Sequence, residues 1–218
     1  MNIKLSSLLL DLFFPPKCVF CGKIGVRGVC SGCERTLPRM DNQLREGGGY
    51  GKCAVPLRYE GQVREALLRF KFHGAQSAAE GLGTLLAQCV AEELGGEFER
   101  ITWAPVSDKR RKKRGYDQAR LLAEATARVW DEKPVQLLRK RRDNAPQSGL
   151  DAPERRGNVI GVYEAVQPEL IQNARILLID DIITTGSTLG ECARVLREAG
   201  AAGVVCACVA SATTQSHG

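Results

Sequence analysis

Two stretches near the end of the chain are apolar without a polar break, ARILLID (174–180) and GVVCACVA (203–210). Strands buried on both faces read this way, as in parallel sheets, whereas a half-buried strand alternates. Between them STLGECARVLREAG (187–200) spaces Leu189, Cys192, Val195, Leu196 and Ala199 helically and stops at Gly200, a helix with a C-terminal glycine. Upstream, GQVREALLRFKF (61–72) carries Val63, Ala66, Leu67 and Phe70 on one helical face, and SAAEGLGTLLAQCVAEEL (77–94) predicts a second helix. ITWAPV (101–106) predicts a strand, ARLLAEATARVW (119–130) a helix and VIGVYEA (159–165) a short strand. Strand and helix alternate, and the strands are apolar throughout, so the expected fold is α/β with a doubly wound parallel sheet. Ligands of such sheets sit beyond the C-terminal ends of the strands.

Two stretches lack any period. SDKRRKKRGYDQ (107–118) predicts a basic loop, and LLRKRRDNAPQSGLDAPERRGN (137–158) a long exposed one. Structureless loops of that length often act as lids. Near the start, Leu5, Leu8, Leu9, Leu12 and Phe13 share one side of an amphipathic helix predicted over Leu5–Phe14. Asp11 interrupts its apolar run, Pro15 and Pro16 end it, and no small-residue cleavage site follows, unlike a signal peptide. No run approaches the ~20 apolar residues of a membrane span. A cytoplasmic protein without membrane insertion is expected.

Composition is that of a folded soluble chain, 44% hydrophobic and 26% charged over 218 residues. The net charge is +6, but residues 109–142 alone hold thirteen Lys or Arg against four Asp or Glu, an excess of nine. Charge is therefore concentrated where an anionic partner can meet it. The run Lys109–Arg114 can hold pyrophosphate, grip a nucleic-acid backbone or stay solvated. Trp103 and Tyr116 bracket it, placed either to stack single-stranded bases or to fill the core. His73, in FKFHG, and His217 are the two histidines, and a surface place for His73 is expected.

The nine cysteines divide into a cluster and a scatter. Cys53, Cys89, Cys192, Cys206 and Cys208 are spread along apolar elements, as buried free thiols of a reducing compartment are. The other four read Cys18-x2-Cys21-x8-Cys30-x2-Cys33. Two Cys-x-x-Cys knuckles, with Gly22 and Gly32 expected to permit the turns, are expected to present four thiolates to one tetrahedral Zn²⁺, a structural site with no open position, the alternative being disulfide or redox use of the pairs. Residues 15–40 are too poor in large apolar side chains to bury a core alone. The division expected is an N-terminal helix and zinc-binding module over 1–45, then a second domain over 46–218, with the Gly-rich REGGGY (45–50) between them.

The strand ARILLID runs into Asp180 and Asp181, and then into Thr184, Thr185, Gly186, Ser187 and Thr188. Carboxylates accept hydrogen bonds from vicinal sugar hydroxyls. Hydroxyls and backbone N–H groups at a helix N-terminus hold phosphate, and Gly186 lets the backbone approach closely. A sugar phosphate wants both. ILLIDDIITTGST resembles the phosphoribosyl pyrophosphate (PRPP) motif of type I phosphoribosyltransferases.

The resemblance extends along residues 8–210. A four-cysteine knuckle after LFFPP, then RGYDQARLLA, then APQSGLDAPERRGNV and the PRPP motif together resemble the ComF family, competence-associated proteins with a phosphoribosyltransferase-like domain. The resemblance implies that Asp180 and Asp181 hold the ribose hydroxyls and that Thr184, Thr185, Gly186, Ser187 and Thr188 hold the 5′-phosphate. Lys109 and Arg110 are implied at the pyrophosphate, bridged by Mg²⁺. A flexible hood over about 139–158, with Pro146, Gln147 and Arg155, would close over PRPP. Lys71, between Phe70 and Phe72, falls at a position that resembles a lysine–aromatic patch of the family, which implies a contact to the active site.

Two positions depart from the pattern. Thr184 stands where relatives acting on 6-oxopurines carry a proton-handling aspartate, and Asp117 stands where the family commonly has Asn, an amide that can donate. The expected function is PRPP binding in DNA uptake and natural transformation, with single-stranded DNA and DNA-uptake or helicase-type proteins as partners. The alternative is an active phosphoribosyltransferase that passes ribose 5-phosphate from PRPP to an unidentified nucleophile.

Overall fold

The computed structural model describes residues 15–47, 49–72, 76–141 and 161–212. The helix expected over Leu5–Phe14, both histidines, the strand start Val159–Ile160 and the hood residues Pro146, Gln147 and Arg155 lie outside them. In chain order the elements are α1 (Ser31–Thr36), β1 (Leu44–Gly47), β2 (Gly51–Ala54), β3 (Leu57–Arg58), α2 (Gly61–Phe72), α3 (Gln76–Leu94) and β4 (Arg100–Trp103). Then follow α4 (Asp108–Arg114), α5 (Gln118–Arg128), β5 (Leu138–Lys140), β6 (Tyr163–Ala165), α6 (Pro168–Ile171), β7 (Arg175–Ile183), α7 (Ser187–Glu198) and β8 (Gly203–Ser211).

The main sheet runs β1-β2-β8-β7-β4. Its pairs are parallel except the edge hairpin β1–β2, which holds the Gly-rich joint. β2 and β3 are two pieces of one edge along β8, with Cys53 opposite Cys206 and Leu57 opposite Ala210. Pro56 stands at the break, where a residue without an N–H cannot extend the ladder; its carbonyl instead accepts from the Met40 N–H at 2.9 Å.

β7 and β8 are the two apolar runs, and the period of two explains why they lack polar positions. Leu177 and Ile179 enter the core formed with α2, α3 and α5, while Ile176 and Leu178 enter a second core under α7 with Leu189, Cys192 and Leu196. Both faces are covered from Ile176 to Ile179, so each of those positions is apolar. Cys53, Cys89, Cys192, Cys206 and Cys208 are all buried free thiols. β4 and β8 flank β7 on opposite sides. The chain thus turns back at β7, the switch point at whose C-terminal end a doubly wound sheet opens a crevice.

Three expectations change. The stretch 107–118 is not a loop: Ser107 accepts from the Arg110 N–H at 3.3 Å and starts α4, which Gly115 stops in the left-handed region at φ 83°. Six cations in a row gave no apolar period from which to read that helix. The stretch 137–158 is not a loop from its first residue, because Leu138–Lys140 pair antiparallel with Tyr163–Ala165 in a separate two-stranded sheet. VIGVYEA therefore contributes to that hairpin and not to the main sheet. Gly32 is no turn glycine but part of α1, whereas Gly22 does take positive φ, 75°. Among the described residues no helix is long and apolar enough to cross a membrane.

The zinc-module residues Cys18, Val19, Phe20, Cys33 and Leu37 bury into the same core as α2 and α3, as a segment without a core of its own must. The contact is close enough to exclude a methyl group. A Cβ on Gly81 of α3 would sit 2.7 Å from the Gly28 backbone, and one on Gly83 would sit 2.5 Å from Ala125 of α5. Ala in mid-helix ordinarily gains about 0.5–1 kcal/mol over Gly. Gly81→Ala is expected to reverse that sign and lower Tm, by roughly 2–4 °C per kcal/mol at this size. Thermal unfolding with zinc content measured alongside is the check, and a rise in Tm would contradict the docking described.

Candidate functional site

At the C-terminal ends of β4 and β7 lies a cavity of about 280 Å³. It gathers Asp180 and Asp181 from β7, Thr184, Thr185, Gly186, Ser187 and Thr188 from the turn into α7, and Arg110 from α4. Lys109 is not among the lining residues and is exposed on α4. Arg114, one helical turn beyond Arg110, does line it, as do Lys71, Tyr59, Gln118, Lys140 and Tyr163. Arg114 would have been found by adding four to Arg110, had the stretch been read as a helix.

Alternation sends the two carboxylates to opposite faces of the sheet. Asp181 continues the face of Leu177 and Ile179 and meets Lys71 of α2, with Nζ 3.6 Å from its Oδ2. Asp180 continues the face of Ile176 and Leu178, near Tyr163 and Cys192, whose ionisation is disfavoured first by burial and further by the Asp180 charge. Burial first, then the Asp181 carboxylate, hold Asp180 well above the ordinary carboxylate range, opposed by the Asp181 N–H that donates to its Oδ1 at 2.8 Å.

Gly186 is the N-cap of α7, at φ 74°. It brings no side-chain acceptor of its own; Thr185 Oγ1 accepts from the Ser187 N–H at 3.4 Å, and the N–H groups that follow in the first turn are the ones an anion can use. Thr185 Oγ1 and Ser187 Oγ lie 2.7 Å apart beside it. Tyr50 packs against Gly186 so tightly that a Cβ there would sit 2.4 Å from the ring. Tyr50 is held in turn by Arg197 of α7, which donates to the Gly49 and Tyr50 carbonyls at 2.8 and 3.4 Å. The Gly-rich joint thus supports the loop from beneath.

Asp117 is the N-cap of α5. It accepts from the Arg120 N–H at 3.2 Å and, across the loop after β4, from the Val106 N–H at 3.1 Å. It acts only as acceptor, a task a carboxylate performs as well as an amide. Trp103 and Tyr116 are buried, so stacking on nucleic-acid bases is excluded for them; Trp103 lies in the core beneath the Arg120 guanidinium at 5.9 Å.

The four Sγ atoms of Cys18, Cys21, Cys30 and Cys33 lie within 4.8 Å of one another, with Cys21 and Cys30 at 3.6 Å. Zn–S bonds of about 2.3 Å in a tetrahedron require sulfurs about 3.8 Å apart. The donor set fits Zn²⁺. Cys30 caps α1, its Sγ accepting from the Cys33 N–H at 3.4 Å, and Cys18 Sγ accepts from the Cys30 N–H at 3.3 Å. Burial works against the Cys18 thiolate, but N–H donors from Cys21, Cys30 and Phe20 outweigh it and lower the thiol to about 6.

Residues 116–217 match the phosphoribosyl transferase domain family, and residues 9–63 the double zinc ribbon domain. The chain is 32% identical to DNA utilization protein YhgH of Escherichia coli, over 91% of its own length and 98% of the relative's. It is 28% identical to competence protein F of Haemophilus influenzae, over 86% and 93% respectively. To competence protein ComFC of Bacillus subtilis it is 29% identical, over 86% and 74%. The chain belongs to the ComF family.

This ComF chain accordingly has a type I phosphoribosyltransferase-like fold and an N-terminal four-cysteine module with structural Zn²⁺. Its described residues hold one such four-thiol cluster. Because structural zinc contributes about 10–16 kcal/mol of apparent binding energy, Cys33→Ser is expected to lose the metal and undock the module. Metal analysis and Tm with and without chelator check this.

Asp180 gives a second prediction. Its folded pKa lies above its unfolded value, so the stabilising proton is present below the ordinary carboxylate pKa and is lost as pH rises toward the folded one. Asp180→Asn keeps the shape without the charge. Its Tm advantage over the native chain is expected to be small within the ordinary carboxylate range and to grow as pH rises above it. A pH series of thermal melts decides; an advantage that shrinks with pH would contradict the burial argument.

Proposed function

We propose that this ComF chain binds PRPP with Mg²⁺ in the cavity and takes part in DNA uptake. The observation that carries the reading is that two carboxylates, a helix start with glycine at its N-cap and cations from three other elements line one cavity. The Asp180 and Asp181 carboxylates accept from the ribose 2′- and 3′-hydroxyls. The N–H groups at the start of α7, with Thr184, Thr185, Ser187 and Thr188, donate to the 5′-phosphate. Arg110 and Arg114 take the pyrophosphate through their planar donor forks; the Lys109 expected there stays outside. Mg²⁺, arriving with the pyrophosphate oxygens, supplies further positive charge.

The role in DNA uptake rests on relatives named for competence and DNA utilization. It is supported by Lys109, Arg111, Lys112 and Lys113, exposed on α4 beside the cavity. We assign them to single-stranded DNA through its phosphates, since Trp103 and Tyr116 offer no stacking face, and leave DNA-uptake proteins as further partners. Buried free thiols agree with a cytoplasmic setting. Binding is favoured over transfer because the lining residue Thr184 cannot handle a proton at neutral pH, and burial keeps Tyr163 protonated.

Calorimetric titration with Mg·PRPP tests the site. Asp180→Asn/Asp181→Asn is expected to weaken binding about 100-fold, two hydrogen bonds to charged groups being lost; unchanged affinity would remove the reading. Pyrophosphate release is expected to stay at background with ammonia and a panel of bases, and turnover with any of them would make the protein a transferase. Replacing Lys109, Arg111, Lys112 and Lys113 by Gln is expected to flatten the salt dependence of single-strand binding, each lost contact changing the slope by about 0.7.

A further inference from the structure

Arg69 sits on α2, one turn before its end, and does not line the cavity. Its guanidinium donates through Nη2 to the Val19 carbonyl at 3.1 Å and the Phe20 carbonyl at 2.6 Å. These two carbonyls lie between the zinc ligands Cys18 and Cys21, inside the first knuckle. Arg69 therefore grips the knuckle by its backbone, with the Val19 and Phe20 side chains buried beneath.

Two residues later, Lys71 reaches the cavity and the Asp181 carboxylate. The last turn of α2 that carries it is also held from the cavity side. The final carbonyls of a helix have no partner within it, and here α5 and the residue before its cap supply donors. The Tyr116 hydroxyl donates to the Phe70 carbonyl, and Gln118 Nε2 donates to the Lys71 carbonyl at 3.1 Å. Gln118 Oε1 accepts in turn from Arg114 Nη1 at 3.0 Å. One helical turn thus lies between the zinc knuckle and the cations of the cavity, bonded to both.

We propose that Arg69 is a positioning residue: it couples the zinc knuckle to the cavity by fixing the turn that aims Lys71 at Asp181. Release of the fork removes the hold on one side of that turn, and Lys71 leaves its place beside the carboxylate. The Arg69 side chain is 44% exposed, so water can take over part of its role toward the two carbonyls and the fold survives its loss. Coupling of this kind is reciprocal: a ligand that fixes Lys71 also fixes the knuckle and slows the escape of its metal. The inference rests on the reading of the cavity as a PRPP site.

The test is a double-mutant cycle read by Mg·PRPP affinity, with zinc content measured for each protein. Arg69→Gln is expected to keep its zinc and bind about tenfold more weakly, and Arg69→Lys to recover most of the loss. Lys71→Met is expected to bind about tenfold more weakly, and the double variant no more weakly than Lys71→Met alone. A merely structural role would instead give additive losses. The second measurement is zinc release to a chromogenic chelator: saturating Mg·PRPP is expected to slow it several-fold in the native chain and not in Arg69→Gln. Native affinity in Arg69→Gln, additive losses, or release indifferent to Mg·PRPP in the native chain would each overturn the coupling. If Arg69→Gln loses zinc, protection of the native chain against release still decides. A native chain that does not bind Mg·PRPP would overturn the cavity reading itself, and the coupling with it.

Discussion

Everything at the cavity depends on β7 being buried on both faces up to the point where it ends in two acids. A strand covered by α5 on one side and α7 on the other cannot tilt or slide without exposing Leu177 or Leu178, both fully buried. Its last residues are therefore held where the sheet puts them. Pleating then separates Asp180 and Asp181 onto opposite faces, one toward Lys71 and α2, the other toward Tyr163 and α7. The charge on Asp180 is costly there in the free protein. A ligand bringing hydroxyl donors and cations would relieve that cost, and stability is commonly given up at sites built for binding.

The zinc module is fixed by a complementary constraint. Its few apolar residues cannot form a core, so Zn²⁺ sets the local geometry and the neighbouring domain supplies the buried surface. Backbone-to-backbone contact between Gly28 and Gly81 and the Arg69 fork to Val19 and Phe20 tie it to α3 and α2. A module held this way is part of the domain's wall, and the helix it leans on ends at the cavity.

What could be read from the sequence was whatever rests on a short-range pattern. The unbroken apolar runs gave β7 and β8, the helical period gave α2, α3, α5 and α7, and the cysteine spacing gave the metal cluster. Asp180 through Thr188 were identifiable because strand, acids and glycine loop follow one another directly. What escaped depends on contacts distant in sequence. Helix α4 has no apolar face, and its evidence is a cap at Ser107 and a stop at Gly115. The hairpin β5–β6 joins segments more than twenty residues apart. Lys71 was signalled by the family resemblance alone, since the packing of α2 is what brings it to Asp181, and Arg114 is brought inward by the turn of a helix the composition concealed. Trp103 and Tyr116 sit among cations in the sequence and in the interior of the fold, because neighbours along a chain need not share a surface.

The two departures from the family pattern now separate in meaning. At 117 the side chain is used as an acceptor by two backbone N–H groups, Val106 and Arg120, one in the loop beside the cavity and one at the start of α5. An acid meets that demand, so the change from an amide leaves the architecture intact. At 184 the difference is chemical. A hydroxyl can hold a phosphate oxygen, but unlike a carboxylate it has no proton to gain or lose near neutrality. Among the lining carboxyls, Asp180 has its proton held by burial and by its acidic neighbour. The displaced carboxyl thus lies on the strand, while the loop position at which a proton-handling acid would follow it carries a hydroxyl.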